Sequence, residues 1–590
     1  MKQSHAADIY TLYDKFIQDF LIEGNSILSD HTAILNETSI AECFKNYIDN
    51  FNDTKGSFDD KVTDQFKEAD INTRLVFAHA EWLWSFAVDD ISIWRKKYYA
   101  QRITQLPETE LNTEVYPIGF GSAGQWHTNN KYHEIKFNLI LIRFIRTKVS
   151  KSEITTIQEI KDWIENICLY QKYGAEKVGF ELEEELTKEL SGAKLAVTNI
   201  LTYAGNPDNY ERIASDNHKH QILISFYGLL SEDQKVDESL NTDDKIKLIR
   251  EELAVLAYPD FDFYDEDLLK IWNYSLSEEG FSEVQGLQYK KAIILYGPPG
   301  TSKTHTAKHL AEALINYAYL KDKKNVATYF KQKPDLVTSR IHHLQLHPNY
   351  TYEDFIAGYQ LKGGNTEKTK GTLFDICEKA DKDLVNNMPH VLILDEINRI
   401  DLSRLFGEVF SALENRDKPI QVSVGGLELT IPSNLYIIGT MNEIDFSLER
   451  IDFALRRRFL WFPFGYNQNT LRHIIDSKNR SIKAGLRMEA EMDRFIKNAT
   501  ALNNKIAVIS ELGAQYQIGH TFFAEIVEIY KSYKEIGGYK SLQYQLYRGD
   551  GPTTILWNIS LEPMLNSFLG NMEIEVRNDI LKELKAIYQK

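Results

Sequence analysis

The residues best suited to chemistry form one continuous run, which is Gly297, Pro298, Pro299, Gly300, Thr301, Ser302, Lys303 and Thr304. The apolar segment KAIILY (291–296) precedes the run, and a helical pattern at 305–320 follows it. Glycines let a backbone curl so that its N–H groups face a polyphosphate, and the start of a helix adds positive potential. Lys303 would neutralise the β- and γ-phosphates, and the Thr304 hydroxyl would coordinate Mg²⁺. The run therefore predicts a phosphate-binding loop.

One position of this loop departs from the usual pattern, because Ser302 stands where a glycine commonly precedes the lysine. Serine lacks the backbone freedom of glycine. We expect helical φ and ψ angles here, at which a small residue fits.

Two later apolar segments each end in polar side chains that suit hydrolysis. The segment 391–394 leads into Asp395 and Glu396, and the segment 434–440 leads into Met441 and Asn442. Asp395 would face Mg²⁺, and Glu396 would polarise a water for attack on the γ-phosphate. The neutral amide of Asn442 would hold that water in place. An exposed acidic strand end is the alternative interpretation of the two carboxylates.

Three consecutive arginines, Arg456, Arg457 and Arg458, follow among apolar residues. A basic cluster is most often a solvated face. Guanidinium groups are also natural partners for charge that develops on a phosphate, and this cluster is a candidate for that role.

These side chains need a scaffold that brings strand ends together. The segments at 291–296, 390–395 and 434–442 are apolar on both faces, which favours a parallel sheet covered by helices. Helical patterns dominate elsewhere. We expect four parts, which are an N-terminal region (1–150), a helical region (151–275), a nucleotide-binding core (276–466) and a helical C-terminal section (467–590).

Composition limits the class of protein. The 590 residues are 43% hydrophobic and 26% charged, which indicates a soluble globular chain of several domains. No apolar run approaches the roughly 18 residues of a membrane span. The N-terminus lacks a signal sequence, and the cysteines Cys43, Cys168 and Cys377 are too far apart for a disulfide framework or a zinc site. We expect a cytoplasmic protein without a membrane contact.

The charge balance makes nucleic-acid binding through the overall field unfavourable. The chain has 68 basic and 85 acidic residues, a net charge of −17. Any contact with DNA must therefore use a local patch or a partner chain.

The order of these motifs resembles that of the AAA+ ATPases, and closely that of their McrB branch, the motor of modification-dependent restriction systems. The matching segments are GPPGTSKT, TYEDFIAGYQ (351–360), LILDEINRIDLSRLFGEVFSALE (392–414), IIGTMNEIDFSLERIDFALRRRF (437–459), LGAQYQIGHTFF (512–523) and LWNISLEPMLNSFLG (556–570). The resemblance implies an α/β fold, with an AAA+ P-loop NTPase core around a parallel sheet, a helical C-terminal lid and a mainly helical (α+β) N-terminal region.

The resemblance also assigns roles to the core residues. Lys303 and Thr304 match the Walker A pair, and Asp395 and Glu396 match the Walker B pair. Asn442 matches the sensor residue.

Two further roles concern subunit contacts and the lid. Arg458 matches the arginine finger that acts on a neighbouring subunit, with Arg457 as a second candidate. His520, in the lid segment IGHTFF, is a candidate for a contact that senses nucleotide. The family forms rings, so the resemblance implies a homo-oligomer, expected to be a hexamer, with nucleotide at each subunit interface.

One segment departs from the family. After the sensor the McrB signature reads Met-Asn-Thr-Ala-Asp-Arg-Ser, whereas residues 441–447 here read Met-Asn-Glu-Ile-Asp-Phe-Ser. Phe446 replaces the charged arginine, so any interface role of that arginine is absent or displaced. We therefore favour ATP, and GTP stays open.

The N-terminal region resembles the leading regions of McrB-like ATPases more loosely, through the segments 79–86, 119–137 and 206–222. In that family this part commonly selects the target, often modified DNA. The runs at 94–99 and 143–148 mix basic and aromatic side chains, which can hold phosphate and stack bases. They can equally be helix faces with core aromatics and solvated cations.

The leading hypothesis is an NTP-hydrolysing ring motor and specificity subunit of an anti-phage restriction system, with DNA and a separately encoded McrC-like nuclease as partners. The chain has only isolated Glu-x-Lys fragments such as 159–161, so we expect no DNA cleavage by it alone. The alternative is a MoxR-like chaperone that remodels protein complexes. A third possibility, a nucleotide-binding scaffold without turnover, is disfavoured by Glu396 and the three arginines.

Overall fold

The structure is a computed structural model. The residues that it describes are 7–50, 57–121, 123–190, 194–256, 261–273, 283–321, 323–362, 365–444, 453–482, 488, 491–537 and 546–590. The chain divides into two compact units. Unit 1 comprises Met1–Asn273 and Leu320–Ala327, and unit 2 comprises Tyr274–Tyr319 and Thr328–Lys590. The finer division at residues 150 and 466 stays a prediction.

Unit 1 is helical. Its α-helices are Ala7–Lys15, Glu37–Phe44, Phe58–Gln65, Ile71–Ser85, Ile93–Thr104, Gly124–Asn129, Lys131–Ser150, Ile157–Tyr173, Ala175–Val178, Glu184–Glu189, Ala196–Gly205, Asp216–Phe226, Glu232–Val236, Thr242–Leu256 and Glu266–Trp272. Shorter 3₁₀ and π elements are Phe16–Ile22, Lys45–Asp49, Glu108–Glu110, Thr113–Val115 and Tyr227–Leu229. In the described part of this unit, β-structure consists of two isolated bridges, Ser29–Leu111 and Val88–Gly121.

Side-chain caps and aromatic packing explain where these helices lie. Asp70 Oδ1 accepts hydrogen bonds from the Asn72 and Thr73 N–H groups and so starts the helix Ile71–Ser85. Phe20 stacks on His79 of that helix with ring centroids 4.0 Å apart. The helix is buried along most of its length, which accounts for its dense aromatic content.

The helix Thr242–Leu256 is capped by an asparagine, although two aspartates follow directly. Asn241 Oδ1 accepts from the N–H groups of Asp243 and Asp244, at 2.8 and 3.1 Å. Asn and Asp are both good caps, so sequence alone does not separate neighbouring candidates.

Unit 2 is built on a parallel sheet of five strands. The strands of this unit are β1 (Ala292–Gly297), β2 (Ile341–Gln345), β3 (Ala357–Lys362), β4 (Asn365–Lys370), β5 (His390–Asp395), β6 (Ile420–Gln421), β7 (Glu428–Leu429), β8 (Leu435–Asn442) and β9 (Leu460–Pro463). The order in the main sheet is β2-β5-β8-β1-β9, and all its pairings are parallel. The predicted parallel sheet is thus confirmed.

The register of the sheet decides which residues meet. Gly297 at the end of β1 pairs with Asn442 at the end of β8. Gln345 at the end of β2 pairs with Asp395 at the end of β5. Because parallel strands share one carboxyl edge, the loop after β1 and the polar ends of β5 and β8 lie together.

Helices cover the sheet and form the C-terminal section. The α-helices wholly or mostly in unit 2 are Glu283–Lys290, Lys303–Leu320, Lys323–Thr338, Tyr352–Phe355, Thr372–Lys382, Leu402–Phe406, Phe410–Glu414, Phe453–Arg458, Gln468–Arg480, Met492–Val508, His520–Ala524, Ile526–Gly537, Pro552–Leu556, Glu562–Phe568 and Ile574–Tyr588. Short 3₁₀ and π elements are Leu384–Asn386, Ile397–Arg399, Gly407–Val409, Ala514–Tyr516 and Trp557–Leu561. The predicted α/β fold is confirmed, and the described C-terminal section, predicted to be a lid and called the lid below, is helical. Across the described chain, no helix combines the length and the apolar character that a membrane span requires.

Candidate functional site

The loop after β1 turns directly into a long helix. β1 ends at Gly297, and the helix Lys303–Leu320 begins six residues later. Gly297 and Gly300 have φ angles of 147° and 73°, which a side chain would disfavour. The loop and the first turn of the helix present the backbone that could face a polyphosphate.

The expectation for Ser302 is wrong. Its φ angle is 63°, in the left-handed region, and not the right-handed helical value that we expected. The chain must reverse its curl immediately before the helix starts at Lys303, and this turn requires a positive φ. Ser302 therefore carries strain that the commoner glycine would avoid.

The ammonium of Lys303 is buried at the loop. The residue is 6% exposed, and Nζ donates to the carbonyl oxygens of Gly297 and Pro298 at 3.0 and 2.6 Å. Thr301 Oγ1 donates to the same Pro298 oxygen at 2.9 Å. The buried ammonium thus lies inside the curl of the loop, where it could pair with the oxygens of a bound phosphate.

Asp395 lies at the centre of a network of hydroxyl groups. Its Oδ1 accepts from Thr304 Oγ1 at 2.9 Å and also from Thr440 Oγ1. His343 Nε2 is 3.6 Å from the other carboxylate oxygen. A carboxylate and a hydroxyl that converge in this way provide the hard oxygen ligands that Mg²⁺ prefers, so these residues fit that ion.

The neighbouring Glu396 is held by two partners that the sequence did not reveal. Its Oε2 accepts from Gln345 Nε2 at 3.2 Å, and its Oε1 is 3.1 Å from Arg399 Nη2. The Glu396 N–H donates to Thr440 Oγ1 at 3.2 Å. Thr440 therefore contacts both acidic residues. Its position two residues before Asn442 at the end of an apolar segment is the signal that could have found it.

Asn442 lies beside the loop. Its backbone oxygen accepts from Asn398 Nδ2 at 2.6 Å. The next residue, Glu443, donates its N–H to Gly297 O at 3.3 Å. Burial raises the pKa of Glu443, although nearby Lys303 favours the charged form. The structure thus brings a further carboxyl group, missed in the sequence, to the loop.

The arginine cluster has two different environments. Arg457 has a side chain that is 71% exposed and lies 3.1 Å from Glu414. Arg458 is only 13% exposed, lies 3.6 Å from the same carboxylate and packs over Phe410. Arg457 is therefore the guanidinium more open to a second chain. The departure at Phe446 lies outside the described residues.

The lid contacts the loop through two consecutive residues, His520 and Thr521. Ser302 Oγ lies 3.0 Å from His520 Nε2. The Thr521 N–H and Oγ1 both donate to Gly300 O, at 3.1 and 2.9 Å. Burial, followed by the charge of Lys303, lowers the pKa of His520 to about 4. His520 therefore contacts the predicted phosphate-binding loop itself.

The two basic and aromatic runs of unit 1 differ in exposure. On the helix Ile93–Thr104, Trp94 is 69% exposed and stacks on exposed Tyr98 with centroids 5.6 Å apart. Lys96 of that helix is buried and donates to Phe86 O and Pro117 O, both at 2.8 Å. The run at 94–99 therefore presents an aromatic pair and fewer free cations than its sequence indicates.

The basic and aromatic side chains of the run at 143–148 make contacts within unit 1. Arg143 pairs with Glu189, and Lys148 pairs with Glu153 at 2.6 Å. Phe144 packs against Trp163 with centroids 5.3 Å apart. This run fits the alternative interpretation, a packed helix face, better than a DNA contact.

Comparisons with known proteins agree with this geometry. Residues 292–459 match the AAA domain of the dynein-related subfamily. The EcoKMcrB subunit of the type IV methyl-directed restriction enzyme of Escherichia coli (strain K12) is 32% identical over 247 residues, which are 40% of this chain and 48% of that protein. Component YdiS of the type II restriction enzyme BsuMI of Bacillus subtilis (strain 168) is 26% identical over 208 residues, 28% of this chain and 54% of that protein.

A crystal structure of a candidate ATPase from Cytophaga hutchinsonii covers 50% of this chain and 89% of its own, with 13% identity and a TM-score of 0.20. The chain spans about half the length of the curated relatives it matches. The glycine-rich loop, the parallel sheet and the matched AAA domain together indicate an AAA+ ATPase core, and the part of the chain that these relatives match is similar to the McrB subunit.

Proposed function

We propose that this chain is the NTP-hydrolysing ring motor and specificity subunit of an McrBC-like anti-phage restriction system, and that it drives a separate nuclease on DNA. The supporting observation is the convergence of Thr304, Asp395 and Glu396 beside the buried Lys303 at one edge of the sheet. The restriction enzymes to which both relatives belong support the choice of system.

The chain's own residues divide the work of hydrolysis. Lys303 and the loop amides bind the phosphates, and Thr304 and Asp395 hold Mg²⁺, which supplies positive charge to the phosphate oxygens. Glu396 accepts the proton of the attacking water, and Asn442 orients that water. Gln345 and Arg399 fix the direction of the Glu396 carboxylate.

A ring of identical chains, expected to be a hexamer, would complete the site. The exposed side chain of Arg457 can reach a neighbouring subunit without a rearrangement of the core, which favours it over the largely buried Arg458. An arginine from a neighbouring chain offsets the charge that develops during phosphoryl transfer. ATP is the favoured nucleotide, with GTP as the alternative, and the cytoplasm is the expected location.

Nucleotide turnover tests this proposal. Purified chain is assayed with ATP and with GTP, with and without the nuclease encoded beside it, on methylated and unmethylated plasmids. We expect turnover by the chain alone and DNA cleavage only with the nuclease present. DNA cleavage by the chain alone would contradict the assignment of the nuclease to a partner. DNA binding that is absent at every salt concentration would favour the chaperone alternative, because phosphate contacts are salt-dependent.

Two substitutions separate binding from chemistry. Lys303→Ala removes the buried cation and should abolish nucleotide binding. Glu396→Gln keeps the shape of the side chain but not its basicity, so binding should persist while turnover falls by at least about 100-fold. Isothermal titration and phosphate release measure the two effects. Turnover at the wild-type rate in Glu396→Gln would show that another group activates the water.

A further inference from the structure

Ser302 occupies a backbone conformation that its side chain makes unfavourable. Its φ of 63° lies where residues other than glycine are rarely found. The preceding glycines of the loop meet the same demand without a Cβ atom. Glycine would avoid the backbone strain at this position. A serine here indicates a specific role only if its hydroxyl makes a contact that glycine could not make.

The structure shows such a contact. Ser302 Oγ lies 3.0 Å from His520 Nε2, although 218 residues separate the two in sequence. His520 is 2% exposed and begins the lid helix His520–Ala524. Within the described chain, its other ring nitrogen has no hydrogen-bond partner. The hydrogen bond to Ser302 is thus the one that this buried imidazole makes within the described chain.

The surrounding backbone leaves little space between loop and lid. A Cβ atom added to Gly519 would lie 2.2 Å from the carbonyl carbon of Gly300. Thr521 binds the Gly300 oxygen through both its N–H and its hydroxyl. Ser302 also directly precedes Lys303, whose ammonium lies inside the loop. A shift of the lid at His520 must therefore move the part of the loop that would face phosphate.

We propose that Ser302 and His520 form a latch between the phosphate-binding loop and the lid. Both are positioning residues, since each acts on nucleotide through the conformation of the loop. Through the latch, the position of the lid affects the affinity for nucleotide. By the same coupling, bound nucleotide affects the position of the lid. This proposal rests on the proposed function, because it takes the ligand of the loop to be a nucleoside triphosphate.

A double-mutant cycle in the full chain tests the latch. Ser302→Ala, His520→Ala and the double variant are titrated with a fluorescent ATP analogue at pH 8. We expect each single substitution to weaken binding by about threefold to tenfold, as for the loss of one hydrogen bond. The double variant should bind the ATP analogue as tightly as the single variant with the lower affinity, because the same hydrogen bond is lost in all three variants.

Three further variants separate the latch from general damage to the structure. His520→Gln places an amide near the position of Nε2 and should restore most of the affinity. Ser302→Gly removes the hydroxyl but relieves the backbone strain, so it should melt at a higher temperature than Ser302→Ala while still failing to couple with His520→Ala. Ser481→Ala removes an exposed lid hydroxyl that donates to Lys478 O at 2.7 Å, and should bind as the wild type does.

Two outcomes would overturn the proposal in different ways. If the wild-type chain binds nucleotide but the two single losses add in the double variant, the hydroxyl and the imidazole act independently and no latch exists. If the wild-type chain binds neither ATP nor GTP, the proposed function itself is wrong, and the latch with it.

Discussion

The Thr440 hydroxyl connects the two acidic residues of the site. It donates to Asp395 Oδ1 and accepts from the Glu396 N–H at 3.2 Å. Thr440 is buried at the end of β8, so neither bond can be replaced easily by water. One side chain on a neighbouring strand therefore sets the positions of the proposed Mg²⁺ ligand, Asp395, and of the proposed water-activating residue, Glu396.

Replacing Thr440 by valine should damage both stability and turnover. Valine keeps the shape but removes the donor to Asp395 and the acceptor for Glu396, leaving buried polar groups unpaired. We expect a loss of about 1–3 kcal/mol in the free energy of unfolding, measured by urea denaturation, and slower phosphate release. Thr440→Ser, which keeps the hydroxyl, is the matched control. Equal stability and turnover in the valine variant would show that the hydroxyl does not organise the site.

Sequence and structure agree well at the scale of single elements of the core. The apolar runs at 390–395 and 434–442 form β5 and β8 with boundaries that differ by at most one residue. The helical pattern at 305–320 lies in the helix Lys303–Leu320. The aromatic-rich stretch at 73–101 lies in two helices, Ile71–Ser85 and Ile93–Thr104. Strands buried on both faces give continuous apolar runs, whereas a break between two buried helices leaves little trace in composition.

The lid segment at Gly519 allows a direct prediction. Its φ and ψ of −63° and 149° suit any residue, so alanine there would add no backbone strain. The added Cβ atom would nevertheless clash with the backbone of Gly300. Gly519→Ala should destabilise unit 2 by about 1–3 kcal/mol and weaken nucleotide binding, as measured by urea denaturation and titration.

A matched glycine makes this experiment specific. Gly425 is exposed, and a Cβ atom there would meet nothing within 4 Å. Gly425→Ala should therefore leave stability and binding unchanged. If Gly519→Ala behaves like Gly425→Ala, the lid does not contact the loop as closely in solution as in this structure.

The buried His79 and the half-buried His218 and His342 should make the stability of the protein depend on pH. Burial lowers the pKa of His79 to about 3 and those of His218 and His342 to about 4. His79 Nε2 accepts from the Ile27 N–H at 3.0 Å, so a proton on that nitrogen would break the bond. These imidazoles are neutral in the folded chain and take up protons in the unfolded chain below their ordinary pKa of about 6.5.

The free energy of unfolding should therefore fall as the pH drops below about 6.5, by about 2 kcal/mol at pH 5 for the fully buried His79 and by less for the half-buried His218 and His342. Denaturant unfolding followed by circular dichroism at pH 7.5, 6 and 5 measures this. His79→Phe should weaken the pH dependence, whereas replacement of the exposed His133 by glutamine should not. Equal stability at pH 7.5 and pH 5 would show that these histidines are accessible to protons in the folded state.

The sequence by itself determined the order of strand, loop and helix, and the residue types that suit phosphate, Mg²⁺ and water. Continuous apolar runs and glycines carry that information locally. Only the tertiary structure decided the partners across the chain, such as Gln345 and Arg399 for Glu396, Thr440 for Asp395, and His520 for Ser302. Strand order and the folding of the lid bring these residues together, and neither leaves a periodic signal in the sequence. The expectation of helical backbone angles for Ser302 failed because the chain reverses its direction of curl at this residue, immediately before the helix begins at Lys303.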